Sequence, residues 1–361
     1  MLTFRVEKKV FDFTFGAGTS RGVLHHKKSW FIHVFDKLSN SYGQGECSVI
    51  EGLTPDYISD TDYLDRINSA IQMIENLNVS ELKVQFFSHF VDSTTEDFFS
   101  FNSSIRFGVE SAILDCYNGG KGIYFNSPFL TEGYKIPING LIWMGEESFM
   151  REQIQKKLND GFTTLKMKVG ALDFNSEIKI IQSIREQYKS SEIALRVDAN
   201  GAFTPENVLH KLEKLAEYDI HSIEQPIAKG NSTFLKKLCS HSPIPIALDE
   251  ELIGVFSKQE KITFLNLVKP QFIVLKPSLH GGFKGTIEWI EAAQKNEIQW
   301  WITSALESNV GLSAICQFTS QYSNLLPQGL GTGSLYSNNI DKGLHVKDGY
   351  IFFDGKNTSM N

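Results

Sequence analysis

The feature that most constrains this chain is a rhythm. From residue 136 to residue 331, short apolar runs alternate with amphipathic stretches: IPINGLIW, TTLKMKV, EIALRVDA, HSIEQPI, IPIALDE, FIVLKPS, QWWITSA and LLPQGLG. The runs begin near residues 136, 163, 192, 221, 244, 272, 299 and 325, so successive starts lie 27, 29, 29, 23, 28, 27 and 26 residues apart. A strand, a helix and two short loops fill such a period. The intervening stretches agree: Thr204-Pro205 predicts an N-cap and first turn, followed by Val208, Leu212 and Leu215 at helical steps. Eight repeats of this kind predict an α/β fold in which a parallel sheet closes into a barrel wrapped by helices. An open doubly wound sheet competes, but it usually carries a nucleotide-binding glycine loop after its first strand. None is present.

The first third has a different texture and predicts an α+β domain over residues 1–133, joined to a barrel over 134–334 and completed by the segment 335–361. Leu2–Phe15 and Trp30–Phe35 have the aromatic and β-branched content of strands. The glycine-rich loop between them, Gly16 to Gly22 with Arg21 at its tip, lacks phosphate-loop spacing and reads as a hairpin tip or a lid. One helix is expected to bury Leu64, Ile67, Ile71 and Ile74, and a second Ile105, Val109, Ala112 and Cys116.

Composition narrows the partners. Lys and Arg number 35 against 42 Asp and Glu, a net charge of −7, which argues against a general nucleic-acid or anionic-membrane binder. No run approaches the ~18 apolar residues of a membrane span. The first residues carry Arg5, Glu7, Lys8 and Lys9 where an export signal would be apolar. Cys47, Cys116, Cys239 and Cys316 follow neither disulfide nor metal-ligand spacing. A cytoplasmic enzyme acting on a small molecule is expected, with neither nucleic acid nor membrane as partner, and a homo-oligomer is compatible with this.

The chemistry gathers at the strand ends, where a barrel's loops converge. The second run ends in Lys166-Met-Lys168, whose alternation points both lysines one way. The third ends in Asp198 with Asn200 beyond it, the fourth in Glu224, the fifth in Asp249 and the sixth in Lys276. Charged residues seldom terminate apolar strands without a partner. Asp198, Glu224 and Asp249 are hard oxygen donors suited to Mg2+ or Mn2+. Glu250 and Glu251 crowd Asp249 and leave some ambiguity over the third ligand. A lysine on either side is placed to move a proton, provided its pKa falls from ~10.4. Ion pairs that merely close the barrel top, or a Schiff-base lysine, are the alternatives. A binding protein gives no reason for three carboxylates between two lysines.

The series KMK, VDAN, EQP, LDE and VLKP resembles the enolase superfamily, in its muconate-lactonizing branch. The resemblance implies a (β/α)7β modified TIM barrel with an α+β N-terminal capping domain, Asp198, Glu224 and Asp249 as Mg2+ ligands, and Lys168 and Lys276 as the acid/base pair. Lys166 and Asn200 would support them. Trp301 to Asn309 contains no histidine, which sets aside the mandelate-racemase branch. Further segments are similar to the o-succinylbenzoate synthase family: Gly45-Glu46-Cys47, Ile136 to Trp143, Val274 to Ser278 with Gly281-Gly282, Ser304 to Ser308, and Gly331-Thr332-Gly333. No Asp-x-Asp follows the eighth run to grip an ammonium, as dipeptide epimerases of the branch usually have. The implied reaction is a metal-dependent syn dehydration of a cyclohexadiene carboxylate; N-succinylamino acid racemisation is the alternative. Substrate contacts are expected from Arg196, Ser304, Glu307, Ser308, Gly331, Thr332, Gly333 and Arg21. His280 reads as a loop residue.

Overall fold

The computed structural model describes residues 2–19, 22–170, 172–324 and 326–355. The N-terminal part opens with three antiparallel strands, β1 Leu2–Thr19, β2 Gly22–Asp36 and β3 Ser41–Val49, joined in the order β1-β2-β3. The helices α1 Asp60–Ile74, α2 Val79–Phe87, α3 Ser93–Phe101 and α4 Ser103–Tyr117 follow. The α1 stripe is rotated from the expected one: Tyr63, Ile67, Ala70 and Ile74 are buried, whereas Leu64 is 39% exposed. An aromatic side chain at position 63 reaches Trp30 and displaces leucine from the core face. In α4 the expected stripe is buried together with every other residue from Ser103 to Cys116, because this helix lies between the cap sheet and the barrel. Glycine makes the approach possible: a Cβ on Gly45 would stand 1.8 Å from the Gly108 carbonyl oxygen, and one on Gly43 2.1 Å from that of Ala112.

The barrel follows. A short strand β4 Ile136–Pro137 precedes β5 Gly140–Ile142, α5 Glu147–Asn159, β6 Thr164–Lys168, α6 Phe174–Arg185, β7 Ala194–Asp198, α7 Val208–Ala216, β8 Ser222–Glu224 and α8 Ser232–His241. Next come β9 Ile246–Leu248, α9 Lys258–Val268, β10 Phe272–Leu275, α10 Gly282–Lys295, β11 Gln299–Ile302 and α11 Asn309–Thr319. The parallel sheet runs β11-β10-β9-β8-β7-β6-β5. Its strands are buried on both faces, which is why each reads as an apolar run. The eighth run forms no full strand. It closes the ring through single bridges, Thr303 to Gly329 and Ile138 to Gln328. Pro327 within it lacks the N–H that a longer ladder needs. The first run is likewise divided, since Ile136–Pro137 pairs not with the barrel but with β13 Tyr350–Phe353, itself paired to β12 Leu344–Lys347. Thr204-Pro205 starts a turn, not α7, which begins at Val208.

Cap and barrel share an apolar seam of Phe11, Phe31, Trp143, Val310, Leu335 and Tyr336. The β1–β2 hairpin reaches the barrel mouth, where Gly18 bridges Met144. A Cβ there would stand 2.4 Å from the Met144 carbonyl oxygen, so only glycine fits.

Candidate active site

The register of the parallel strands fixes the chemistry. Lys168 pairs with Asp198 and Asp198 with Glu224 across β6, β7 and β8, while Asp249 and Lys276 directly follow β9 and β10. All five charged groups therefore meet at one rim, together with Lys166, and line a cleft of ≈770 Å³. The cap adds Leu24, Ile50 and Leu53.

Lys166 Nζ donates to Glu224 Oε1 at 2.6 Å and lies 3.0 Å from Asp198 Oδ2. Lys168 Nζ donates to Asn200 Oδ1 at 2.5 Å and to Asp198 Oδ2 at 3.3 Å. Lys276 Nζ donates to Asp249 Oδ2. Burial alone would lower the Lys166 and Lys276 pKa values; the facing carboxylates outweigh it and hold both above the usual lysine range. For Lys166 these are Asp198, Glu224 and Asp249, and for Lys276 they are Asp249, Glu250 and Glu224. For these two lysines the carboxylates thus outweigh the fall that proton transfer asks of an acid/base lysine. Burial pushes Asp198 up, but Lys166 and Lys168 overcome it and hold this acid below the usual range. Glu224 goes the other way, raised by burial and by Asp198 beside it.

Asn200 ties the two halves together. Its backbone has φ +42°, and its N–H donates to Asp198 Oδ1 at 3.0 Å. Its side-chain amide donates to Glu250 Oε1 at 2.9 Å while accepting from Lys168. Gln225, which sequence reasoning passed over inside EQP, holds the neighbouring loop: its Oε1 accepts from the N–H groups of Asp249 and Glu251. Its left-handed φ of +38° is visible only in the structure, and a spacing argument does not see it.

The donor set suits a divalent cation. Among the described residues no three acid, imidazole or thiol groups already converge to ligation distance, because each acid is drawn toward a lysine. Yet Glu224 Oε2 and Asp249 Oδ1 are buried without a hydrogen-bond partner, two carboxylate oxygens at the ends of the adjacent strands β8 and β9, beside Asp198 at the end of β7. Hard, unsatisfied oxygens of this kind fit Mg2+ or Mn2+.

The remaining expected contacts divide. Ser304, Gly331 and Thr332 line the cleft. Arg196 does not: it is 2% exposed, stacks on Trp301 at 4.0 Å and donates to the Pro327 carbonyl at 2.8 Å, closing the barrel below the cleft. Glu307 is fully buried behind the wall, accepting from Ser278 and Ser304. Ser308 caps α11. Gly333 packs toward Asn309 and Leu312. Arg21 lies outside the described residues. His280 lies in the turn between β10 and α10, as expected, but it is buried there: it is 3% exposed, its Nδ1 accepts the Lys276 N–H at 2.9 Å, and burial lowers its pKa to about 3.

Comparison with known proteins fits this geometry. The profile of the enolase C-terminal domain-like family matches residues 149–356. The chain belongs to the enolase superfamily. Within the superfamily it is 41% identical to the o-succinylbenzoate synthase of Desulfotalea psychrophila, over 93% of this chain and 94% of the relative. It is 23% identical to the o-succinylbenzoate synthase of Bacillus subtilis, over 91% and 85%. The crystal structure of MenC from Desulfotalea psychrophila superposes with a TM-score of 0.84 at 36% identity, covering 97% of this chain and 99% of that one. The muconate lactonizing enzyme of Pseudomonas putida shares the fold, with a TM-score of 0.76 at 18% identity over 96% and 93%. These likenesses place the chain in the muconate-lactonizing branch of the superfamily. A dipeptide epimerase of Enterococcus faecalis, solved with Mg and a dipeptide, also has this fold (TM-score 0.81, 19% identity, 97% and 96% covered).

Proposed function

We propose that this enzyme dehydrates 2-succinyl-6-hydroxy-2,4-cyclohexadiene-1-carboxylate to o-succinylbenzoate, serving menaquinone biosynthesis in the cytoplasm. The observation that carries the reading is near full-length likeness to an o-succinylbenzoate synthase at 41% identity, joined to a cleft with lysines on both sides of three carboxylates. Asp198, Glu224 and Asp249 would hold Mg2+ or Mn2+. When bound, the dication would supply positive charge opposite the anion that forms on the substrate carboxylate and would offset the carboxylates that hold the pKa values of Lys166 and Lys276 up.

Lys168 removes the proton α to the carboxylate. The C–H electron pair becomes the new ring double bond as the C–O bond breaks, and the same Nζ returns its proton to the departing hydroxyl, so one water leaves from one face. Asn200 holds Lys168 in place, Lys166 sets its electrostatics, and Lys276 supports the anion from the opposite side. Trp143, Leu141 and the cap residues Ile50 and Leu53 exclude water from the reacting face. The division of labour between a cap over residues 1–133 with 335–361 and a barrel over 134–334 belongs to the same proposal.

A second reading, racemisation of N-succinylamino acids, is favoured by the same pair of lysines facing one cleft from β6 and the end of β10. One assay separates the two. The metal-stripped protein is given Mg2+ and either the cyclohexadiene or an N-succinylamino acid, and the ultraviolet absorbance of the aromatic product and optical rotation are followed. Aromatic product that requires added Mg2+ is expected. Rotation changes without any aromatic product would overturn the dehydration reading.

A further inference from the structure

Lys276 owes its place to the turn that follows it. It lies one residue past the end of β10, and Pro277 after it biases its backbone toward an extended conformation. Its carbonyl accepts the N–H groups of Leu279 at 2.8 Å and His280 at 3.0 Å, and the Pro277 carbonyl accepts that of Gly282 at 2.9 Å. The Lys276 N–H donates to His280 Nδ1 at 2.9 Å. Both backbone groups of the lysine are therefore bound within the turn 276–280. Accepting at Nδ1 leaves the ring proton on Nε2, and burial keeps the ring neutral, with Lys276 and Lys261 reinforcing it against Asp249. The imidazole is itself held. It packs against the fully buried Trp289 of α10, with ring centroids 6.5 Å apart. A Cβ on Gly285 would stand 2.0 Å from the His280 carbonyl oxygen, so α10 can press on this residue only through glycine. Lys261, 1% exposed, buttresses the contact from α9 by donating to the Gly285 carbonyl at 3.2 Å and to Glu288 at 2.7 Å.

We infer that His280 is a positioning residue: by accepting the Lys276 N–H it fixes the root of the lysine side chain that reaches into the cleft. The inference rests on the part of the proposed function that gives Lys276 a role in the reaction, and it holds for dehydration and racemisation alike. Lysine is a long chain with many rotamers, so its ammonium is placed accurately only if the backbone that bears it is rigid. Past the end of β10 the sheet ladder no longer supplies that rigidity, and the imidazole takes the place of a strand carbonyl. Without the acceptor the Lys276 peptide would be left to turn toward another partner, and a small turn at Cα becomes a large displacement at Nζ. The damage belongs in kcat rather than KM, because Lys276 supports the anion that forms and not the acid that binds. His280 itself is absent from the cleft lining, so it acts through the lysine and not on the substrate.

The test compares His280→Asn, His280→Gln and His280→Leu. The Asn side-chain oxygen stands one bond from Cγ, as Nδ1 does, whereas that of Gln stands one bond further out and Leu has no acceptor. Loss of the substrate α-proton, to dehydration or to exchange, is followed by NMR in D2O with the Mg2+-loaded protein. His280→Leu and His280→Gln should lower kcat about ten- to a hundredfold with KM nearly kept, and His280→Asn should restore most of it. A cycle with Lys276→Ala separates positioning from general damage: in that background His280→Leu should change the remaining proton exchange by less than about threefold. Should the Leu protein fail to fold, the Asn and Gln pair carries the same comparison and the same cycle. Equal kcat in the Asn and Gln proteins, or a loss that persists in full without the Lys276 side chain, would overturn the inference. If the wild-type protein left the cyclohexadiene untouched, dehydration alone would fall, and the cycle would be run with the N-succinylamino acid enantiomer whose proton exchanges. A wild-type protein inert toward both would remove the role of Lys276, and this inference with it.

Discussion

Replacing Glu46 should loosen the whole molecule, although this residue touches no substrate. Its carboxylate is fully buried in β3, and accepts from Ser29 Oγ at 2.6 Å, from Lys27 Nζ at 3.4 Å, from Ser308 N at 3.0 Å and Oγ at 2.5 Å, and from Gly311 N at 3.1 Å. Two terms set the cost of Glu46→Ala. The N-terminus of α11 loses an acceptor, worth ~1 kcal/mol as a cap. Lys27, 4% exposed, is left with the Ser29 hydroxyl at 2.7 Å and Glu307 as its remaining counter-charge, and breaking a buried pair on one side costs ~3–5 kcal/mol. The sum, about 4–6 kcal/mol, rivals the entire stability of many domains. Urea unfolding followed by tryptophan fluorescence reads it directly, because Trp30 and Trp143 are buried on the two sides of the seam. Glu46→Gln keeps shape and one acceptor and should show a smaller loss. Adding Lys27→Met to it should recover part, a coupling of ~1–3 kcal/mol. A Glu46→Ala protein within about 1 kcal/mol of wild type, no more than the cap term alone, would refute the reasoning.

The remaining predictions follow the site and the cap. Lys168→Ala should lower dehydration by more than the ~10²–10⁴ of a general base alone, since one group serves as base and acid, whereas Lys276→Ala should still exchange the substrate α-proton in D2O by NMR. Near wild-type dehydration by Lys168→Ala would remove the base assignment. Glu224→Gln should raise the Mg2+ concentration needed for half activity in a metal titration of the stripped protein, and an unchanged titration counts against its role as a ligand. Burial lifts Asp56 to about 6, against three bonds accepted by its Oδ2 at the start of α4. Its folded pKa lies above the unfolded value of ~3.9, so its contribution is full below that value and is lost as pH rises through 6, by ~3 kcal/mol at most. The stability of Asp56→Asn against urea should therefore improve relative to wild type as pH rises from 4.5 to 7, and parallel curves would exclude this.

The barrel was legible because strands buried on two faces must be apolar throughout, and because charges at their ends stand out against that background. That Lys168, Asp198, Glu224, Asp249 and Lys276 would meet at one rim could be read from position alone. What escaped depends on partners distant in sequence. Arg196 looked like an anion binder, yet Trp301 and the carbonyl of Pro327, more than a hundred residues away, claim its guanidinium. Glu307 and Ser308 sit in a loop that does line the cleft, but Ser278 and Glu46 draw them behind it. The α1 face turned because a tyrosine outcompeted a leucine for Trp30. Periodicity names a stripe and not its edge.

The cap does more than cover the barrel. Two of its carboxylates are seated on the N-termini of neighbouring barrel helices: Glu46 at α11, and Glu110, from α4, which accepts the Phe283 N–H at 2.6 Å in the first turn of α10. Helix N-termini present unpaired N–H groups and partial positive charge, so a buried acid there is held by direction as well as by charge. Arg106 completes the second site, donating to Glu110 at 2.7 Å. These helices follow β10 and β11, whose loops carry Lys276 and the wall Ser304-Ala305-Leu306. From the same cap, Ile50 packs with Leu279 and Ala305 in those loops. Cap and catalytic loops thus share one set of contacts, and the geometry around Lys276 is set as much by β3 and α4 as by the barrel that bears it. A fold arranged in this way can vary Leu24, Ile50 and Leu53, which face the cleft, while Glu46 and Glu110 keep the cap in register. Specificity can then drift on the cap while the proton chemistry stays on the barrel.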